Sequence, residues 1–228
     1  AYLRPVTHPG KRSLPESYGS PYGLMALRER IALMLAERSI NVAPAQVLLT
    51  QGANDALDMI VRHFVEPGDP VLVDSPGYYP LFGKLRLAKA KLSGVRRNPD
   101  GPDLDDLAKR AAATGAKIFF TQSLAHNPTG CSITLPVAYR LMQIATQYNL
   151  RIVDSDPFAD VLPVSSPRLA ALDQLDRVIY VGTFAKTLSA SLRSGYIAAD
   201  PDTIGALADL KMITRANSSG YIEQIIHD

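Results

Sequence analysis

Lys186 lies in the stretch VGTFAKTLSASLRSGY (181–196), just past an apolar run and with no acidic neighbour. A lysine held there and partly desolvated favours its amine over its ammonium, and an amine can attack an aldehyde to form a Schiff base. Thr183, Thr187, Ser189 and Ser191, together with Arg193, are donors of the kind that bind an anion such as phosphate. A second anion site is written into LTQGANDAL (49–57), where Gly52 ends an apolar run and the N–H groups after it open a helix. Three more polar clusters follow apolar runs: DSPGYYP (74–80), HNPTG (126–130) and DSDPFAD (154–160). Each has a bland alternative. A lone lysine is usually a solvated charge, Asn-Pro and Thr-Gly promote turns, and a loop tyrosine packs at a core edge. The number of such clusters is the reason to expect a site.

The elements that position them follow from hydrophobic spacing. Leu27, Ile31, Met34 and Leu35 recur at helical intervals, as do Ala56, Met59, Ile60 and Phe64. Residues 103–112 predict a helix with acids in its first turn, where they complement the helix dipole, and residues 135–148 predict another. Strands are predicted at 47–50, in 70–77 (a strand, then a turn), and at 117–122, 150–156, 177–184 and 194–200. Apolar strands alternating with amphipathic helices imply an α/β domain, a three-layer α/β/α arrangement around a mostly parallel sheet. Such sheets bind ligands beyond the carboxyl ends of their strands, where these clusters fall.

Composition narrows the function classes. The 228 residues are 46% hydrophobic and 20% charged, which excludes a disordered chain. A net charge of +2 gives no electrostatic case for a nucleic acid or an anionic membrane. The single Cys131 excludes a disulfide framework, and the four histidines show no metal-ligand spacing, so no metal is expected. No apolar run reaches the roughly 18 residues of a membrane span, and the expected location is cytoplasmic. The basic run Lys84, Arg86, Lys89 and Lys91 reads as a solvated face, and His126 as structural.

From Tyr18 onward these motifs, in their order, resemble the fold-type I, class I/II aminotransferases that use pyridoxal 5′-phosphate (PLP). The resemblance implies the large domain of that fold and amino-group transfer between an amino acid and a 2-oxo acid through a Lys186 Schiff base. It implies that Thr183 and Arg193 bind the PLP phosphate with Ala53 and Asn54, that Asn127 bonds the ring hydroxyl oxygen, and that Tyr78 stacks on the ring. In the family an aspartate pairs with the pyridinium nitrogen and a tyrosine just after it bonds the ring oxygen. Asp154 and Asp156 lie two apart and share a strand face. Asp156 is the favoured partner and Asp154 the alternative, with Phe158 standing where the tyrosine is expected. Tyr18, in YGSPYGLMALRERIA (18–32), corresponds to a tyrosine that reaches the partner subunit's cofactor phosphate and so implies a homodimer.

The wording around GDPVLVDSPGYY and TFAKTLSASLRSGYIAA is particularly similar to the effector domain of MocR-type (GntR family) transcriptional regulators. The alternative function is therefore a PLP-dependent effector and dimerisation domain with little transaminase activity, touching DNA only through a helix-turn-helix segment that this chain does not hold. The expected division is 1–40 as an N-terminal segment and first helix, 41–200 as the PLP-binding domain, and 201–228 as helices leading to a C-terminal small domain that is absent. With that domain goes the family's arginine for the substrate carboxylate, so this chain is expected to transaminate poorly.

Overall fold

The computed structural model describes residues 18–163 and 167–228. Eight strands form one sheet: β1 (Val47–Thr50), β2 (Pro70–Ser75), β3 (Lys91–Asn98), β4 (Gly101–Pro102), β5 (Ile118–Thr121), β6 (Arg151–Asp156), β7 (Val178–Thr183) and β8 (Gly195–Ala198). Their spatial order is β1-β8-β7-β6-β5-β2-β3-β4. The central strands β3, β2, β5, β6 and β7 run parallel, and β8 is antiparallel to both its neighbours. β1 therefore points the same way as the parallel set, and its carboxyl end reaches the same edge of the sheet. β5 and β7 are buried along their whole length, which is why IFFT and VIYVGT read as unbroken apolar runs.

Helices cover both faces: α1 (Met25–Glu37), α2 (Ala53–Phe64), α3 (Tyr79–Leu87), α4 (Leu104–Thr114), α5 (Leu135–Tyr148), α6 (Leu169–Asp173), α7 (Pro201–Arg215) and α8 (Gly220–His227). On one face Leu27, Ile31, Leu107 and Leu141 pack against Leu72, Phe119, Ile152 and Tyr180 of the sheet. On the other, Leu57, Met59, Ile60, Leu85 and Leu207 pack against Val73, Phe120, Val153 and Val181. Each fully buried side chain of this size contributes about 1.5–3 kcal/mol relative to exposure. The result is the three-layer α/β/α architecture with a mostly parallel sheet that the sequence predicts. Both α1 and α7 pack into these cores.

The chain passes from β2 outward to β3, whereas β5, β6 and β7 step away in the opposite direction. Between β2 and β5 the sheet thus has a topological switch point, where strand-end loops diverge and leave a crevice. Residues 79–102 hold elements that hydrophobic spacing does not mark. α3 buries only Leu81 and Leu85, one turn apart, and carries Pro80 and Gly83; β3 is an outer strand burying only Val95 and Arg97. Within the basic run here, Arg86, Lys89 and Lys91 are exposed, while Lys84 pairs with Asp58 at 3.4 Å.

Candidate active site

Loops after β1, β2, β5, β6 and β7 close around one cavity of about 250 Å³ at the carboxyl ends of the strands. Ala53, Asn54, Tyr78, Asn127, Phe158, Thr183, Lys186 and Arg193 all line it. These residues, each singled out on sequence and spread along the chain from 53 to 193, are thereby brought together.

The anion end is built at α2. Gly52 caps the helix with φ of 88°, a left-handed conformation that favours glycine, so the turn presents the first free N–H groups of Ala53 and Asn54 to the cavity. Gly195 lets the strand approach: a Cβ there would stand 3.0 Å from the Ala53 nitrogen and 2.7 Å from the Gly182 oxygen. Arg193 lies alongside, its Nη2 donating to the Gln51 carbonyl at 3.5 Å, and the cation and the helix dipole point at the same space. The Thr183 hydroxyl donates to the Ser194 carbonyl at 3.1 Å and accepts from the Ala185 N–H at 3.3 Å. It ties the lysine loop to β8.

Lys186 is exposed, not the half-buried amine that its apolar setting suggests, and its Nζ stands 5.8 Å from the centre of the Phe158 ring. The Asn127 loop is held from beneath by Gln122, which no sequence motif marks. Its amide donates to the Leu124 and Ala125 carbonyls, and its oxygen accepts from the Asn127 N–H at 3.2 Å. Gln122 is held in turn by Asp74, which accepts from Arg97, Thr121 and the Gln122 N–H at 2.8, 2.8 and 3.3 Å, with His126 Nε2 at 3.5 Å. His126 is buried and reaches Thr129 at 2.9 Å through Nδ1, a structural placement. Tyr78 has its hydroxyl pKa raised, first by burial and then by Tyr79, against the opposing charge of Arg193.

One expectation fails on placement. Asp154 and Asp156 do share a face of β6, but it is the face turned away from the cavity. Asp154 is fully buried and accepts from the N–H and hydroxyl of Ser123 at 2.9 and 2.7 Å. Burial, with Asp156 adding to it, raises its pKa to about 6 against the hydrogen bonds from Ser123. Asp156 accepts from Arg168 Nε at 2.9 Å and from the Tyr180 hydroxyl at 2.8 Å, all three fully buried. Turning either acid toward the cavity would require a one-residue slip of β6, and breaking the Asp156–Arg168 pair costs about 3–5 kcal/mol. The residue of β6 that does line the cavity is Ser155. Tyr18, whose expected role lies toward a partner subunit and not in this cavity, is 85% exposed, its carbonyl accepting from Asn217.

A doubly covered α/β sheet with a lysine, a helix N-terminus and an arginine meeting beyond the carboxyl ends of its strands is the arrangement of a PLP-binding large domain of fold-type I. The profile of the family described as "Aminotransferase class I and II" matches residues 11–225, and the chain belongs to that family. It is 30% identical over 198 residues to "Aromatic-amino-acid aminotransferase 1" of Thermococcus litoralis, covering 83% of this chain and 48% of that protein. It is 35% identical over 170 residues to "Probable rhizopine catabolism regulatory protein MocR" of Rhizobium meliloti, covering 73% of this chain and 33% of that one. Among solved structures, LysN, the α-aminoadipate aminotransferase of Thermus thermophilus, superposes with a TM-score of 0.86 at 28% identity, over 92% of this chain and 54% of that chain. That structure is complexed with N-(5′-phosphopyridoxyl)-L-leucine. The chain thus spans about half the length of the curated relatives it matches, or less.

The cofactor of this family is PLP, and the wall fits its phosphate and its aldehyde. The free N–H groups of α2 and the Arg193 guanidinium suit a dianion, and Lys186 supplies the amine. The fit fails at one place, because no carboxylate among the described residues lines the cavity. No helix of the described residues is long and apolar enough to cross a membrane.

Proposed function

We propose that this chain is the cofactor-binding part of an aminotransferase that exchanges an amino group between an amino acid and a 2-oxo acid. The convergence of Lys186, Asn127, Tyr78, Arg193 and the start of α2 on one cavity carries this reading. Ala53, Asn54 and Arg193 hold the phosphate of PLP, with Thr183 ordering the loop beside them. Lys186 Nζ anchors the aldehyde carbon, Asn127 donates to the ring hydroxyl oxygen, and Tyr78 covers the ring. Bound PLP supplies electron withdrawal that weakens the Cα–H bond of an amino acid attached to it. Lys186 Nζ, at the same place in the wall, would be positioned to carry the Cα proton.

We further propose that the molecule works in the cytoplasm as a homodimer. Tyr18, standing free on the surface, is available to reach the partner's cofactor phosphate. Phe158 leaves the ring oxygen without a tyrosine hydroxyl. That departure, with the similarity to a regulator, supports a second reading as the effector domain of a MocR-type regulator whose DNA contacts lie in a helix-turn-helix segment. A helix-turn-helix pattern in the reading frame ahead of Ala1 decides between the two.

The test is an absorbance titration with PLP. The native chain is expected to develop the shifted band of lysine-bound cofactor and Lys186→Ala to show only free or loosely bound PLP. The same band in both proteins would remove Lys186 from the role.

A further inference from the structure

We infer that Ser155 meets the ring nitrogen of the cofactor, and that this chain holds the nitrogen unprotonated, as an acceptor of the serine hydroxyl. The inference rests on PLP binding at Lys186.

Three observations carry it. The parity of β6 puts Val153 and Ser155 on the face of the sheet covered by α2, where the cavity lies, and Ile152, Asp154 and Asp156 on the other. Both acids are committed there, Asp154 to Ser123 and Asp156 to Arg168 and Tyr180. Second, no Asp or Glu among the described residues lines the cavity. A protonated pyridine is itself a cation, so a wall that offers it no anion favours the neutral ring. Third, the Ser155 hydroxyl makes no hydrogen bond among the described residues, although it lines the cavity and a smaller one behind it.

The carboxylate on that rear side is Asp74. Its Oδ2 is taken up by Arg97, Thr121 and the Gln122 N–H, with His126 next to it, so its charge is already matched by a buried guanidinium. The rear cavity, about 30 Å³, has room for about one water. A serine hydroxyl can donate to a neutral ring nitrogen but has no charge to stabilise a protonated one. Ser155 is thus a positioning residue whose consequence is electronic: the cofactor is retained while its electron withdrawal is weakened. Such a site binds amino compounds more readily than it turns them over.

The experiment loads the chain with PLP carrying ¹⁵N in the ring and reads the nitrogen shift by NMR at pH 7. Borohydride trapping of a parallel sample reports whether the cofactor sits on Lys186. In the native chain the nitrogen is expected at the unprotonated position, and in Ser155→Asp at the protonated one. Ser155→Ala is expected to leave the nitrogen unprotonated and to weaken PLP binding roughly two- to tenfold, the loss of one hydrogen bond. A protonated nitrogen in the native chain, with Lys186 trapped, overturns the inference and leaves the binding site standing. An unprotonated nitrogen in folded, trapped Ser155→Asp also overturns it, since Ser155 would not face the ring. Failure to trap Lys186 in the native chain removes the reading beneath.

Discussion

Arg193 carries the only guanidinium among the described residues of the cavity wall, and it stands beside a helix terminus that is positive in its own right. In the proposed site their effects add on a phosphate dianion, whereas the Lys186 amine is assigned to the other end of the cofactor. Replacing Arg193 with Ala removes charge-assisted hydrogen bonds of about 1.5–3 kcal/mol in total, so PLP affinity is predicted to fall roughly ten- to a hundredfold in a fluorescence titration. Lys186 should still be labelled at saturating PLP. Unchanged affinity would mean that the phosphate lies elsewhere. Most residues of this wall are legible in the sequence because each follows a buried strand with a functional group of distinctive chemistry. Gln122 is not, since an amide bonding backbone carbonyls has no spacing that marks it.

At the scale of the element, β6 shows how a correct local inference can give a wrong site. Period-two alternation correctly places Asp154 and Asp156 together, but alternation alone cannot say which face looks into the cavity. That is fixed by distant packing, with α2 and α7 on one side and α5 and α6 on the other. For the same reason the outer elements α3 and β3 escape a reading by periodicity: each buries only two side chains, too few to set a visible period.

The buried Asp154 also has a measurable consequence. Its pKa is raised to about 6 in the folded chain, above the ordinary 3.8, so between these values the folded state binds more protons than the unfolded state. This group's contribution therefore lowers stability as pH rises from about 4 to 6, by an amount on the order of 2–3 kcal/mol. Denaturant melts of Asp154→Asn, which keeps an acceptor for the Ser123 N–H, should lack this component. The native chain should thus lose more stability than the variant between pH 4 and 6. Parallel pH profiles for the two proteins would contradict the assignment.

Across the whole molecule the family's sheet is retained, with a cavity at the strand ends, while two side chains proposed to face the ring depart from the pattern that the resemblance implies. The anchoring groups, the lysine, the helix terminus and the arginine, are in place. Where the resemblance implies a carboxylate at the ring nitrogen and a tyrosine at the ring oxygen, this cavity presents Ser155 and Phe158. On this proposal binding and turnover are separated. Binding is the property that an aminotransferase and a cofactor-dependent effector domain share, and it is what this fold secures by bringing five strand-end loops together.

That claim is tested most directly by incubating the chain with PLP, reducing with borohydride, and mapping the modified peptide by mass spectrometry. The account predicts one pyridoxyl-phosphate adduct per chain, on Lys186 within TFAKTLSASLR, and its loss in Lys186→Ala. An adduct spread over surface lysines, or none on Lys186, would contradict it.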